Sequence, residues 1–172
     1  MVGYKPILEE IISRLFVGDE EAVPIAEKRG YSILAACKDG SSDCHRAVLG
    51  YSTPGAPKDK NYYFYRSDTK HMALNLIDSE DVDFIPDEVI DAGLRFIKER
   101  YDAGDTVFVH CIAGHSRSTT MMMMFLRAIG ELGDSFLGAE RKFRALYSHY
   151  EPGKGMRNYA RERWARLPKF FR

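Results

Sequence analysis

The sequence has no surplus of charge of either sign. Its 25 lysines and arginines balance 25 aspartates and glutamates, so bulk charge argues for neither a nucleic-acid partner nor insertion into a membrane. Cysteine is scarce: only Cys37, Cys44 and Cys111 occur. Three thiols do not make a disulfide framework, and an odd number suits a reducing compartment, so the expected location is cytoplasmic. Neither Cys37 nor Cys44 has a His or Cys pair nearby at metal-ligand spacing, so no metal is expected. Both are expected to be ordinary free thiols; the alternative is that one of them pairs with an oxidised Cys111. Long apolar runs are missing as well. The run Met121–Leu126 stops at Arg127, far short of the ~20 residues that cross a bilayer. Glu9 and Glu10 interrupt any signal-like stretch at the start.

At 172 residues the chain suits one domain, 1–172, with a substantial core. The balanced charge is unevenly spread. Asp78 to Asp105 holds ten acids and three bases, and Arg141 to Arg172 holds ten bases and two acids. Two complementary faces within one fold is the favoured reading, and recruitment of a polyanion by the basic end is the other.

Residues Met1 to Arg14 suit either a strand or a short helical lead-in. Arg14 to Gly18 reads as a strand stopped by glycine. Asp19 to Gly30 reads as a helix with acids in its first turn and glycine at its end, slightly spoiled by Pro24. Tyr31 to Cys37 is a buried strand. Lys38 to Asp59 is a long Gly/Ser/Pro/Asp loop, with a candidate strand at Ala47 to Tyr51 and the length of a candidate lid. Asn61 to Arg66, dense in tyrosine, reads as a strand whose rings pack both faces or wall a pocket. His71 to Ile77 is a strand ending at Asp78, and an acidic loop leads to Pro86 and a helix over Asp87 to Arg100. After Val107 to Val109 come helices at Ser116 to Ile129, Leu137 to Tyr150 and Met156 to Leu167. The four methionines Met121 to Met124 mark the first of these as a buried central helix. Repeated strand–helix–strand order predicts an α/β fold, with a central, mostly parallel twisted sheet of about 4–5 strands flanked by helices.

The chain is organised around Val107 to Ser118. A buried strand, a tight turn with Gly114, and a helix form an anion cradle. Successive amides of such a turn point inward, and the helix adds free N–H groups and the positive end of its dipole. Cys111 stands at the strand end and Arg117 at the helix start, where its planar fork matches phosphate geometry. Helix termini and nearby cations lower a thiol from about 8.5 to ~3.5–7.5. Cys111 is therefore expected to be a thiolate facing a bound phosphate, arranged for in-line attack on phosphorus.

The segment His110-Cys111-Ile112-Ala113-Gly114-His115-Ser116-Arg117-Ser118 resembles the His-Cys-x5-Arg-Ser signature of cysteine-dependent protein phosphatases, and looks most like the dual-specificity branch. Leu74 to Asp78, followed by a helix and Val-His-Cys, is similar to that branch's arrangement of general acid and nucleophile. Thr119 stands where the family commonly has proline. The resemblance implies a protein phosphatase hydrolysing phosphotyrosine, and phosphoserine or phosphothreonine where the pocket is shallow, through a phosphocysteine on Cys111. It implies phosphate binding by the amides of Ile112, Ala113, Gly114, His115, Ser116 and Arg117 and by the Arg117 side chain. Ser118 would hydrogen-bond the sulfur, His110 would support the loop, and Asp78 would be the general acid, with Asp81 the alternative. Asn158 is a candidate for the asparagine that supports the loop in the family. The implied partner is a phosphorylated protein or peptide, with no cofactor and no metal. Two rivals are the same chemistry on a phosphoinositide or RNA 5′ end, and a phosphate-binding module with little turnover. Only His115 and Arg117 give the loop positive side chains, where relatives acting on such substrates usually have more. A silent module would lack Cys, Arg or Asp, and all three are present.

Overall fold

The computed structural model describes residues 3–172. Met1 and Val2, the start of the segment read as strand or lead-in, lie outside the described residues. The rest of that segment forms a strand, β1 (Leu8–Ile12), which turns back through Arg14, at φ 69°, into β2 (Leu15–Gly18). Pro24 then sits in the first turn of a short helix α1 (Val23–Lys28), where its missing N–H costs nothing. Further elements are β3 (Ser32–Ala35), α2 (His45–Leu49), β4 (Phe64–Asp68), β5 (His71–Leu74), α3 (Asp87–Asp102), β6 (Val107–His110), α4 (Arg117–Ala128), α5 (Phe136–Leu146) and α6 (Lys154–Arg163).

Among the described residues the sheet has six strands in the order β1-β2-β6-β3-β5-β4, where about 4–5 mostly parallel ones were expected. The central pairs β2–β6, β6–β3 and β3–β5 are parallel, as the strand–helix–strand rhythm requires. The two additions are antiparallel edges, β1 on β2 and β4 on β5. Both edge strands are partly exposed, so neither shows the continuous apolar run that marks β3 and β6, whose residues are all buried.

Helix α4 is the central helix anticipated from its methionines. Every residue from Ser118 to Ala128 is buried, and Met121 to Met124 belong to the main apolar core with α3, β5 and the C-terminal helices. Gly93 of α3 lets α4 approach, because a Cβ there would stand 3.0 Å from the Met121 Cε and Leu74 Cδ1. The uneven charge resolves partly inside the fold: Arg163 of α6 pairs with Asp87 and Asp91 of α3. Among the described residues no helix is long and apolar enough to cross a membrane.

Three expectations need correction. The candidate strand at Ala47 to Tyr51 is instead the end of helix α2 and the turn after it, stopped by Gly50 at φ 75°. His45 anchors that helix from inside, through the Tyr51 hydroxyl at 2.9 Å and the Asn61 carbonyl at 2.8 Å. Cys37 and Cys44 are not free thiols but form a disulfide. The chain folds back between them, with the His45 N–H donating to Cys37 O and the Arg46 N–H to Lys38 O, and this brings the two Cα atoms to 5.7 Å. Cys111 remains the free cysteine. Finally, β4 starts at Phe64 on the sheet edge, so the tyrosines before it pack on the fold's flank and do not wall the cleft at Cys111.

Candidate active site

The carboxyl ends of the parallel strands converge on one side of the sheet, where sites in open α/β sheets form. Cys111 directly follows β6 and is 2% exposed. Its Sγ lies 3.2 Å from the Ser118 Oγ. Ser118 is itself buried, with its hydroxyl 3.4 Å from the Gly18 carbonyl at the end of β2. The turn between Cys111 and Arg117 is fixed along its length. Ile112 O accepts from the Glu20 N–H at 3.2 Å, and His115 O accepts from the Glu151 N–H at 3.0 Å. Gly114 adopts φ 76°, and a Cβ on it would come within 3.0 Å of the Gly18 backbone and of the Tyr147 hydroxyl. That hydroxyl donates to Gly114 O at 2.7 Å. Burial pushes the Tyr147 phenol above its ordinary range, so it stays a donor.

Asp78 reaches the cleft by a route longer than the sequence suggested. Strand β5 stops at Leu74, and β3 lies between β5 and β6. An extended stretch, Asn75 to Ile77, carries the chain on, and Leu76 O accepts from the Lys38 N–H at 2.8 Å and from Arg117 Nη1 at 3.0 Å. Asp78 Oδ1 then accepts from the Ser116 hydroxyl at 2.9 Å, while the same hydroxyl oxygen accepts from the Gly153 N–H at 2.8 Å. Ser116 thus ties the turn, the acidic loop and the segment before α6 into one unit. Glycine makes this close approach feasible: a Cβ on Gly153 would meet Asp78 Oδ1 at 2.7 Å, and one on Gly155 would meet Ser79 O at 1.9 Å. Asp81, the alternative acid, is used differently. It accepts from the Asp83 N–H at 2.9 Å and caps the short 3-10 turn Val82–Phe84.

Asp78, Cys111, Ile112, Ala113, His115, Ser116, Arg117, Glu151, Pro152 and Gly153 together line an open cleft of about 570 Å³. The expected site residues His110 to Ser118 and Asp78 are therefore brought together. His115, open between substrate and solvent in the sequence, holds the His149 carbonyl through Nδ1 at 2.9 Å while its ring forms part of the wall. His110 is fully buried behind Cys111. Asn158 is not part of the assembly: its Oδ1 accepts from Arg161 Nη2 at 2.9 Å on α6, and Tyr147 and Gly153 make the supporting bonds instead. Sequence reading missed Gly18, Tyr147 and Gly153. The one available signal is Gly153-Lys-Gly155, which falls between the two expected helices Leu137 to Tyr150 and Met156 to Leu167. Among the described residues no group of three or more His, Cys, Asp or Glu side chains is placed to hold a metal ion.

No protein-family model matches the chain. A dual specificity protein phosphatase of Arabidopsis thaliana, PHS1, is 30% identical over 94 residues, which is 52% of this chain and 10% of that protein. The match thus spans about a tenth of that relative's length. Among solved structures, DUSP15 superposes with a TM-score of 0.66 at 17% identity, covering 95% of this chain and 91% of that one. PTPMT1 in complex with PI(5)P superposes with a TM-score of 0.60 at 13% identity, covering 96% and 99%. The chain has the dual-specificity phosphatase fold. The chain is thus similar in sequence, over 94 residues, to a dual specificity protein phosphatase, and it shares the fold of that class.

Proposed function

We propose that this chain is a metal-independent, cysteine-dependent phosphomonoesterase acting on phosphotyrosine in a protein or peptide. The observation that carries this reading is the Cys111 Sγ, 3.2 Å from a buried Ser118 hydroxyl, on the floor of a cleft shared with Arg117 and Asp78. In the first step the Cys111 thiolate attacks phosphorus, the bond to the substrate oxygen breaks, and Asp78 gives that oxygen its proton. Amides of Ile112 to Arg117 and the Arg117 fork hold the phosphoryl oxygens. In the second step Asp78 takes a proton from water, the water oxygen attacks phosphorus, and the sulfur leaves as a thiolate accepting the Ser118 hydroxyl hydrogen bond. Asp78 is preferred over Asp81 because it lines the cleft, whereas Asp81 is spent capping a turn.

The comparison with PTPMT1 in complex with PI(5)P raises a phosphoinositide as the second substrate class. The lining favours the simpler monoester. Its basic side chains are Arg117 and His115, opposed by Asp78 and Glu151, and its rim carries Ile112, 41% exposed. A phosphoinositide brings a diester phosphate besides the monoester, and beyond Arg117 and His115 this lining offers no cation for it. A turnover panel of phosphotyrosine, phosphoserine and phosphothreonine peptides and phosphoinositides, with chelator present, tests the reading. Phosphotyrosine hydrolysis that survives the chelator and is inhibited by vanadate is expected. Turnover of the phosphoinositides alone would replace the substrate class, and binding without turnover would reduce the chain to a phosphate-binding module.

A further inference from the structure

The back of the cradle holds a buried His–Asp pair for which the catalytic steps above have no use. His110 closes β6 and is fully buried. Its Nδ1 lies 3.1 Å from the Cys111 carbonyl oxygen, and its Nε2 lies 2.7 Å from a carboxylate oxygen of Asp43. A carbonyl and an ionised carboxylate can only accept. Both ring nitrogens must then donate, and a neutral imidazole has one proton to serve two acceptors. The arrangement is satisfied by the imidazolium. Asp43 is well placed to sustain it. Burial alone would push its carboxyl up, but the hydrogen bond and charge of His110, with the Ser41 hydroxyl, outweigh burial and hold it below the usual carboxylate range. The Phe108 ring stacks on His110 with centroids 5.5 Å apart, a face that suits a cation.

Asp43 sits just before Cys44, in the loop closed by the Cys37–Cys44 disulfide, and Cys37, Cys44 and Cys111 share one small apolar cluster. Glu27, Tyr65, Asp68 and His71 line a cavity of about 260 Å³ together with Asp43, and Cys111 follows His110 directly in the chain. We propose that Asp43 is a positioning residue for the nucleophile: it holds His110 as an imidazolium against the Cys111 backbone, and that buried cation favours the Cys111 thiolate. Asp43 touches neither substrate nor sulfur. It acts through His110, across 67 residues of sequence. The inference rests on the reading of Cys111 as the nucleophile.

Two measurements test it. In the native protein, the ¹⁵N spectrum of His110 at neutral pH should show both ring nitrogens protonated. In Asp43→Asn, which keeps the shape and removes the charge, iodoacetamide should label Cys111 about tenfold more slowly at pH values well below the native midpoint of labelling. The pH midpoint of labelling should rise by about one unit, equivalent to that tenfold change. For a phosphopeptide, kcat should fall with KM little changed, and Asp43→Glu should restore part of the labelling rate. A neutral His110 in the native protein overturns the proposal, as does an Asp43→Asn labelling profile that superimposes on that of the native chain. If Asp43→Asn does not fold, the native spectrum decides. Fast labelling of Cys111 and a doubly protonated His110 in a protein that hydrolyses no phosphomonoester would sink the phosphatase reading and leave this one standing.

Discussion

The two faces of the turn from Cys111 to Arg117 are built by different means. The face toward the cleft is drawn mostly from one short segment between Cys111 and Arg117, joined by Asp78 and by Glu151, Pro152 and Gly153. The face toward the fold is assembled from distant side chains and backbone: Gly18 from β2, Asp43 from the disulfide loop and Tyr147 from the end of α5. Bond making needs a few atoms in one short segment. Holding that segment still requires groups from the rest of the chain, because a turn without its own ladder must find partners for its amides and carbonyls elsewhere. The front should therefore fail in chemistry, and the back in geometry, rate tuning or stability.

The largest effect belongs at the front. Cys111→Ser should abolish turnover, since a hydroxyl is a far weaker nucleophile at neutral pH, while vanadate or phosphate still binds; calorimetry with either anion checks this. Residual turnover near that of the native protein would remove Cys111 from the mechanism. Next comes the acid. Asp78→Asn should cost about 10²–10⁴-fold on phosphotyrosine and much less on an aryl phosphate whose phenol leaves without a proton. Asp81→Asn should show no such split, because its carboxylate caps Val82–Phe84. If Asp81→Asn alone shows the split, the acid is Asp81 and the Ser116–Asp78 hydrogen bond is incidental.

A smaller effect probes where front and back meet. A methyl group on Gly155 would run into Ser79 O, 1.9 Å from the ideal Cβ position, so Gly155→Ala must push the acidic loop away from Ser116. Displacing a catalytic group by about 1 Å can cost ~10²-fold. The expected loss is therefore up to that size on phosphotyrosine and slight on the activated aryl ester, with labelling of Cys111 unchanged. An equal loss on both esters would mean that the substitution disturbs the cradle and not the acid.

The same contrast explains what was legible in the sequence. The parallel centre of the sheet, helix α4 and the run from His110 to Ser118 could be read because each is specified locally, by apolar runs or by a motif. The edge strands β1 and β4 escaped full assignment because half-buried, twisted edges carry weak alternation. Helix α2 was misread because five residues offer too short a window for a helical period. The disulfide was missed because pairing depends on where a loop returns, which spacing alone does not encode. Asp43 and Tyr147 carry no local mark at all; only the folded chain brings them to His110 and Gly114.

The smallest effect should come from the outermost support. Glu140 of α5 is buried, and its carboxylate accepts from Arg157 Nε at 2.9 Å, from Arg157 Nη2 at 2.7 Å and from the Tyr150 hydroxyl at 2.7 Å. This clasp joins α5 to α6 around the segment that carries Glu151 and Gly153 to the cleft. Burial would raise the Glu140 carboxyl, but the Arg157 and Tyr150 bonds outweigh it and hold it below its ordinary value of 4.5. A depressed value in the folded state fixes the sign: the clasp stabilises fully above that ordinary value and is lost as pH falls through the folded one. Removing one partner of a fully buried pair costs ~3–5 kcal/mol. Here Arg157 is 33% exposed and glutamine still offers an acceptor oxygen, so Glu140→Gln should cost about 2 kcal/mol. Urea unfolding of the two proteins should show that gap at pH 7 and a shrinking one below about pH 4.5, with phosphotyrosine turnover reduced only a few-fold. A gap that persists undiminished to pH 3 would mean that packing of the side chain, and not its charge, holds α5 to α6. A loss of turnover as deep as that of Asp78→Asn would mean that back and front are not separable in this fold.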